Sequence, residues 1–396
     1  MKEMEYDVLV VGGGPGGSTA ARYAAEKGAS VLMIEKRQEI GSPVRCGEGI
    51  SLGWLEDYGI KEDESWLIHR IDGAKVVSPS GFTLEINAKM AGNEVGATIR
   101  RDFFDQMLAE MAARAGADIM VKTSARSLIW DDKHNVAGVK ARCNGEDCII
   151  KAKVVIGADG FESQIGRWAG ISTVLKQGDI ATNFQYHMIG IDIDARFSEF
   201  HLGSIAKGGG YAWVFPKGED EANVGLGVTL DMIKQGGEPK RLLDRFIDKH
   251  PELKKGKIVE QVAGAVSVGV PPDITVKNGV MLVGDAARMA DAITGGGIRN
   301  AIRSGKIAGE TAGEAIEIGD ISHINLYEKR WRAEMEDELY RDWMAKNKLV
   351  TLSDEEFDDL ISALSEADIE NLSVYEILEV VKEKNPKLVE DLMSFL

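Results

Sequence analysis

Three cysteines in 396 residues are too few for a disulfide framework, and positions 46, 143 and 148 are too unevenly placed to suggest one. Cys143 and Cys148 flank Gly145 in what reads as a hairpin, and a reducing interior in which they stay thiols is the simpler expectation. Histidine is scarce as well: the six residues are scattered without metal-ligand spacing, so no metal site is indicated. Basic charge is in deficit. A formal net charge of -17 leaves no surplus to neutralise a phosphate backbone, so no nucleic-acid partner is expected, and general attraction to anionic bilayers is weakened. Local basic patches can still hold a lipid head group. No apolar stretch reaches the roughly 18 residues of a membrane span, and the chain runs straight into its first strand with no room for a signal peptide. A soluble, cytoplasmic body is the expectation.

Glycine, by contrast, is abundant at 45 residues, which fits loops wrapped around a phosphate-bearing ligand. The apolar run Tyr6–Val11 turns into Gly12-Gly13-Gly14-Pro15-Gly16-Gly17, and a second apolar run, Ala29 to Ile34, ends on Glu35. This is the spacing of a βαβ unit that holds an adenine dinucleotide, FAD or NAD. Gly12 permits the tight turn, Gly14 lets the backbone approach a pyrophosphate, and Gly17 lets the helix pack close to the sheet. First-turn amides then face the phosphates. Glu35 can accept both hydrogen bonds of an adenosine ribose diol and would repel a 2'-phosphate. Gly12, Gly14, Pro15, Gly17, Glu35 and Lys36 are the candidates for this contact.

The length points to two or three domains. Ser18–Gly28 reads as the first helix, closed by its last glycine, and Asp102–Ala115 as another. Strand character follows at Asp118–Val121, Ser127–Asp131, Ala137–Ala141 and Cys148–Ile150, ahead of an apolar strand at Val154–Ile156. Farther on, Asn183–Ile193, Tyr211–Phe215 and Glu221–Leu230 alternate as β segments. The α/β pattern resumes at Val280–Val283, followed by a helix from near Gly297. After Ile321 the chain is charged and helical, including Leu326–Asn347 and Glu366–Val381. The expected fold class is α/β and α+β, a Rossmann-type dinucleotide domain of three ββα layers with an antiparallel sheet domain and a C-terminal helical region. Residues 1–69, 98–170 and 265–321 are assigned to the first domain, 70–97 and 171–264 to the sheet domain, and 322–396 to the helical one.

Three further segments accompany the first turn. Val155-Ile156-Gly157-Ala158-Asp159-Gly160 ends a strand in a turn that can meet the dinucleotide, Val283-Gly284-Asp285-Ala286-Ala287 ends another with an acid, and Arg101-x-x-Phe104-Asp105 opens a helix between the first turn and these two. Together these resemble the flavoprotein hydroxylase superfamily over about residues 1–315. Within it, Arg45-Cys46-Gly47-Glu48, Tyr211-Ala212-Trp213-Val214-Phe215-Pro216 and Thr294-Gly295-Gly296-Gly297-Ile298 make the chain similar to the geranylgeranyl reductases, most of all the archaeal digeranylgeranylglycerophospholipid reductases. Gly208 and Ala292 stand where that family's pattern has proline, which removes a rigid φ at each.

The resemblance implies FAD, with Asp285 after Gly284 on the ribityl chain, Gly295, Gly296, Gly297 and Ile298 at the isoalloxazine, and Arg45, Cys46 and Gly47 laid along the flavin. Arg101, Ala125, Asp159 and Gly160 complete the implied cofactor contacts. Tyr211, Trp213 and Phe215 share one strand face by period two; such a row is more often core than site, and the resemblance assigns it, with Pro216, to the substrate. The implied reaction reduces unactivated isoprenoid double bonds in geranylgeranyl chains of archaeal lipid precursors by hydride from flavin N5 plus protonation. Cys46 and a flavin-bound water held by the amides of Gly295, Gly296 and Gly297 are the competing proton sources. No second GxGxxG unit is visible for a nicotinamide, so an external electron donor is expected, its identity open. The implied partner is a prenylated phospholipid; the expected body is a monomer with peripheral contact at the inner face of the membrane. Two alternatives stand beside this reading: an FAD-dependent aromatic hydroxylase, and a flavin-bearing protein that binds prenyl lipid without turning it over.

Overall fold

The computed structural model describes residues 2–87, 90, 96–206 and 209–367. Gly208 and nearly all of the helix expected at Glu366–Val381 lie outside them. In chain order the strands are β1 (Lys2–Val11), β2 (Val31–Ile34), β3 (Gly49–Ser51), β4 (Leu67–Arg70), β5 (Gly73–Val77) and β6 (Thr83–Asn87). Then come β7 (Gly96–Ile99), β8 (Asp118–Met120), β9 (Thr123–Trp130), β10 (Val136–Cys143), β11 (Glu146–Gly157) and β12 (Ile180–Ile189). The last six are β13 (Phe197–His201), β14 (Gly210–Gly218), β15 (Glu221–Thr229), β16 (Lys257–Ser267), β17 (Val276–Lys277) and β18 (Val280–Leu282). The principal helices are α1 (Pro15–Glu26), α2 (Arg101–Arg114), α3 (Pro239–Lys249), α4 (Ile298–Ile318), α5 (Leu326–Trp331), α6 (Asp337–Leu349) and α7 (Asp354–Glu366). The chain divides into two compact units: Met1–Val44, Asp102–Lys176 and Val266–Trp343 form the first, and Arg45–Arg101, Gln177–Ala265 and the described residues from Met344 on form the second.

The first unit is built on an eight-stranded sheet whose path runs β17-β18-β11-β1-β2-β8. β1 lies parallel to both β2 and β11, so its run Val8–Val11 is buried on both faces and carries no polar alternation. β9 and β10 add an antiparallel excursion along β11. The segments expected as two strands at Cys148–Ile150 and Val154–Ile156 are one continuous strand, since Lys151 and Ala152 keep pairing with Glu5 and Tyr6 of β1. Helix α1 begins three residues earlier than expected, because Pro15 takes the first helical position after Gly14, and it stops at Glu26 before Gly28 turns to φ +86°.

One cysteine expectation is corrected. Asn144 and Gly145 both take positive φ, the geometry of a tight hairpin turn, and this sets Cys143 diagonally across from Cys148 on one face, where the two form a disulfide.

Helix α4 lies on α1 through Gly305, Gly309 and Gly313, spaced by four residues on one helix face. A methyl at Gly309 would stand 2.9 Å from the Tyr23 Cβ, so the two backbones approach as only small residues allow. Past α4, Tyr327 and Trp331 are fully buried in the core of this unit. The Tyr327 hydroxyl donates to the Leu282 carbonyl at 2.7 Å, and Trp331 Nε1 donates to Thr275 Oγ1 at 2.8 Å.

The second unit carries a seven-stranded sheet in the order β16-β12-β15-β14-β13-β5-β6. Strands β12, β15, β14 and β13 pair antiparallel in turn, as do β5 and β6, but β13 and β5 run parallel. A separate three-stranded sheet is ordered β3-β7-β4. Leu242, Leu243 and Phe246 of α3 pack with Ala212, Val214, Val224 and Leu226, covering one face of the large sheet. Helix α7, opened by a Ser353–Glu356 capping box, buries Ile361 and Leu364 against Leu84 of β6. Among the described residues no helix is long and apolar enough to cross a membrane.

Candidate functional site

In the first unit the end of β1 assembles a turn whose three key glycines differ in what surrounds them. A Cβ on Gly12, at φ +113°, would run into the Ala158 carbonyl, and one on Gly17 into the carbonyl of Gly12. One on Gly14 would meet no protein atom within 4 Å. The first two positions are therefore glycine because the chain packs there; the third leaves the backbone open to approach. Glu35 closes the turn: its carboxylate accepts from the Gly13 amide at 3.0 Å and the Arg37 amide at 2.9 Å, which fixes an anionic acceptor beside the start of α1. Lys36 is exposed next to it.

Asp159 follows β11 at the same edge. Its Oδ2 accepts the Ile165 amide at 2.9 Å, while its buried Oδ1 has no hydrogen-bond partner among the described residues. Burial pushes this carboxyl above the ordinary aspartate range, opposed by amide hydrogen bonds and by the charge of Lys36. A buried, half-satisfied carboxylate beside an open glycine turn fits a polar ligand lying along that turn. Gly160, at φ +77°, continues the strand into its loop. Ala125 sits in β9 opposite Ala141, packed against the core.

The structure brings together Gly284, Asp285 and Gly297. The Gly284 amide donates to Ser304 Oγ at 3.0 Å, and a Cβ on Gly297 would come within 3.0 Å of Asp285 Oδ1. The loop before α4 is internally bonded. Asp291 Oδ1 accepts the amides of Ile293 and Thr294 at 2.6 and 2.9 Å, Gly295 donates to the Asp291 carbonyl at 2.9 Å, and Gly296 donates to Thr294 Oγ1 at 3.1 Å. Two of the three amides assigned to holding a water thus already donate within the loop. Ile298 is the first residue of α4. Burial raises the Asp291 carboxyl, and burial with the neighbouring charge of Asp291 pushes Asp342 up to about 6.

In the second unit Tyr211, Trp213 and Phe215 project from β14 on the face opposite α3, and Pro216 is buried with the other parity. The rings touch in series: Tyr211 to Trp213 at 5.8 Å between centroids and Trp213 to Phe215 at 6.1 Å, with Phe200 of β13 contacting both Tyr211 and Phe215. Beside them β15 offers Gly225 and Gly227 in register, and Trp213 lies across Gly225 so closely that a methyl there would overlap the indole. Trp213 Nε1 donates to Gln185 Oε1 at 3.0 Å. Arg45 is exposed, and the strap that follows it, Cys46-Gly47-Glu48, passes over this face, where a Cβ on Gly47 would stand 3.1 Å from Phe215. Arg101 opens α2, and its amide donates to Glu48 Oε1 at 3.0 Å.

Sequence reasoning passed over the residues that tie the strap down. Gln185 and Asn223 donate to the carbonyls of Cys46 and Gly47 at 3.2 and 3.1 Å, and Lys217 pairs with the buried Glu48 at 2.7 Å. The available signal was positional. All three lie on β12, β14 and β15, and Gln185 and Asn223 have the parity that places them beside the aromatic row.

The open glycine turn, its acid and the strand-end aspartates define the class: a Rossmann-like dinucleotide-binding fold of the kind found in flavin-dependent enzymes. Residues 10–59 match the NAD(P)-binding Rossmann-like domain, and residues 179–266 match the geranylgeranyl reductase catalytic domain. The fold is similar to a flavin-dependent brominase, with a TM-score of 0.72 at 20% identity, covering 99% of this chain and 93% of that one. The digeranylgeranylglycerophospholipid reductase of Thermoplasma volcanium is 51% identical over 396 residues, with 99% of each chain covered. The crystal structure of a geranylgeranyl bacteriochlorophyll reductase-like protein from Thermoplasma acidophilum superposes with a TM-score of 0.94 at 49% identity, covering 100% of both chains. This chain belongs to the digeranylgeranylglycerophospholipid reductase family.

Proposed function

We propose that the protein is an FAD-dependent reductase that saturates the isolated double bonds of geranylgeranyl chains in archaeal membrane-lipid precursors, the digeranylgeranylglycerol phospholipids. The observation that carries this reading, together with the family relationship, is the ring series Tyr211–Trp213–Phe215 beside a glycine trough and under the Cys46 strap. A prenyl chain is bound mainly through apolar area, at about 25 cal/mol per Å², and a long row of ring faces beside glycine supplies that area.

FAD fits the residues of the first unit better than a shorter flavin does, because they address separate parts of one long molecule. Gly12, Gly14, Pro15 and Gly17 would hold the pyrophosphate; Glu35 and Lys36 the adenosine end; Gly284 and Asp285 the ribityl chain. Asp159 and Gly160 face the same turn, and Gly295–Ile298 would meet the ring system. When bound and reduced, FAD supplies the hydride. We assign the cofactor to the first unit and the lipid to the second.

The chain's own residues must supply the rest. An isolated alkene has no carbonyl to take up negative charge, so a proton has to reach one carbon before or as the other receives hydride, and the trisubstituted carbon acquires cationic character. The faces of Trp213, Tyr211 and Phe215 stabilise such charge and exclude water. Cys46 Sγ is assigned as the group that orients the alkene or passes the proton. Water on the Gly297 amide is its competitor. The electrons come from an external donor, and the reading places the protein in the cytoplasm, with peripheral contact at the inner face of the membrane where its substrate lies.

Incubating the chemically reduced protein with a digeranylgeranylglycerol phospholipid under strict anaerobiosis tests this. A gain of two hydrogens per double bond in the lipid's mass is the expected result. Product formed only with oxygen would make it a hydroxylase, and tight lipid binding with no mass change would make it a carrier.

A further inference from the structure

Glu48 has a backbone that its side chain does not favour. Its φ is +68°, in the left-handed region where glycine is at ease and a residue with a Cβ is strained. Glycines stand on either side, at 47 and 49, yet position 48 is a glutamate, so something other than the turn demands the side chain.

What it does is visible in its partners. The carboxylate is buried, 6% exposed, and accepts three hydrogen bonds. Lys217 Nζ at 2.7 Å and Asn223 Nδ2 at 2.9 Å reach Oε2, and the Arg101 amide at 3.0 Å reaches Oε1. The main chain is held as well: the Glu48 carbonyl accepts from the Ile99 amide at 2.9 Å, and the Glu48 amide donates to Cys46 Sγ at 3.3 Å. Asn223, itself 1% exposed, bonds both the Glu48 carboxylate and the Gly47 carbonyl, so one side chain of β15 grips the strap twice.

We propose that Glu48 is a positioning residue: with Lys217 and Asn223 it clamps the strap in its left-handed turn, and the turn in turn directs the Glu48 amide at Cys46 Sγ and so sets where that thiol stands beside the aromatic row. A buried carboxylate that satisfies three donors from different elements has one low-energy place, and the strap inherits that precision. The consequence for turnover rests on the function proposed above; the consequence for the thiol does not.

The two are separable by experiment, because Cys46 is the single free cysteine. In Glu48→Gly the positive φ becomes one the residue adopts readily, and the three hydrogen bonds of the carboxylate are lost. Cys46 in the folded variant, kept oxidised at Cys143–Cys148, should then react with iodoacetamide about fivefold faster or more as the strap loosens. Lipid reduction should lose about tenfold or more in kcat, with KM changed by less than about twofold. Glu48→Gly strands the Lys217 charge, so Glu48→Gly/Lys217→Met is measured alongside it and keeps the test alive if the single variant does not fold. Wild-type alkylation and wild-type kcat in whichever variant folds would overturn the proposal and leave the strap set by backbone alone. Faster alkylation in a protein whose wild type reduces no prenyl lipid would uphold the clamp and sink the functional reading instead.

Discussion

An alanine at position 225 would put its methyl inside the Trp213 indole. The ring must move, and with it goes the hydrogen bond to Gln185. Gly225→Ala is therefore expected to leave the fold intact while lipid affinity falls about tenfold, roughly 1.4 kcal/mol; equilibrium binding of a prenyl phospholipid, with far-ultraviolet circular dichroism as the control, checks it. Unchanged affinity would mean that the aromatic row is core only. In the first unit Asp285→Ala should weaken FAD binding by about 1–3 kcal/mol, as the loss of a charge-assisted hydrogen bond requires. Glu35→Arg should weaken it too, since Arg can neither accept from a ribose diol nor hold the Gly13 amide. Flavin fluorescence titration measures both, and normal affinity in Glu35→Arg would remove that residue from the proposed diol contact.

Among the elements, the segment from Asp291 to α4 and the facing helix α6 share a carboxylate problem. Asp342 is held at about 6, above the ordinary aspartate value of about 3.9, so between those values the folded protein binds a proton that the unfolded chain does not. Stability from this group is full below about pH 4 and is lost as pH rises through about 6. Asp342→Asn should accordingly raise the thermal midpoint at pH 8 and change it much less at pH 5; an equal shift at both would show that the charge is not the cause. The sequence shows the glycine turn plainly, because the positive φ of Gly12 and the contact of Gly17 with the Gly12 carbonyl are local to the strand-turn-helix spacing, although the Ala158 carbonyl that also crowds Gly12 comes from the end of β11. Continuity of β11 was less legible. Lys151 and Lys153 break the apolar pattern at solvent-exposed positions while the pairing with β1 carries on through Lys151 and Ala152. The Glu48 clamp was not legible at all, since a buried ion pair across 169 residues leaves no local pattern in the chain.

For the molecule as a whole, the helical tail matters to the first unit's core. Truncation after Ile321 would strip out Tyr327, Trp331, Met335 and Leu339, all buried there, along with the hydrogen bond to Leu282 at the strand that leads into Gly284. Losing two large buried aromatics costs on the order of 3–5 kcal/mol each, so the truncated protein should fail to fold or to retain flavin. A soluble yellow fragment ending at residue 321 would contradict this.

The central claim, that this chain passes hydride and a proton to an unactivated prenyl double bond, is met most directly by anaerobic stopped-flow mixing of the prereduced protein with digeranylgeranylglycerol phospholipid. The account predicts reoxidation of the bound flavin at a rate that saturates with lipid, matched by one saturated double bond per flavin, and slowed in Cys46→Ala without loss of lipid affinity. Flavin that stays reduced in the presence of saturating lipid would contradict it.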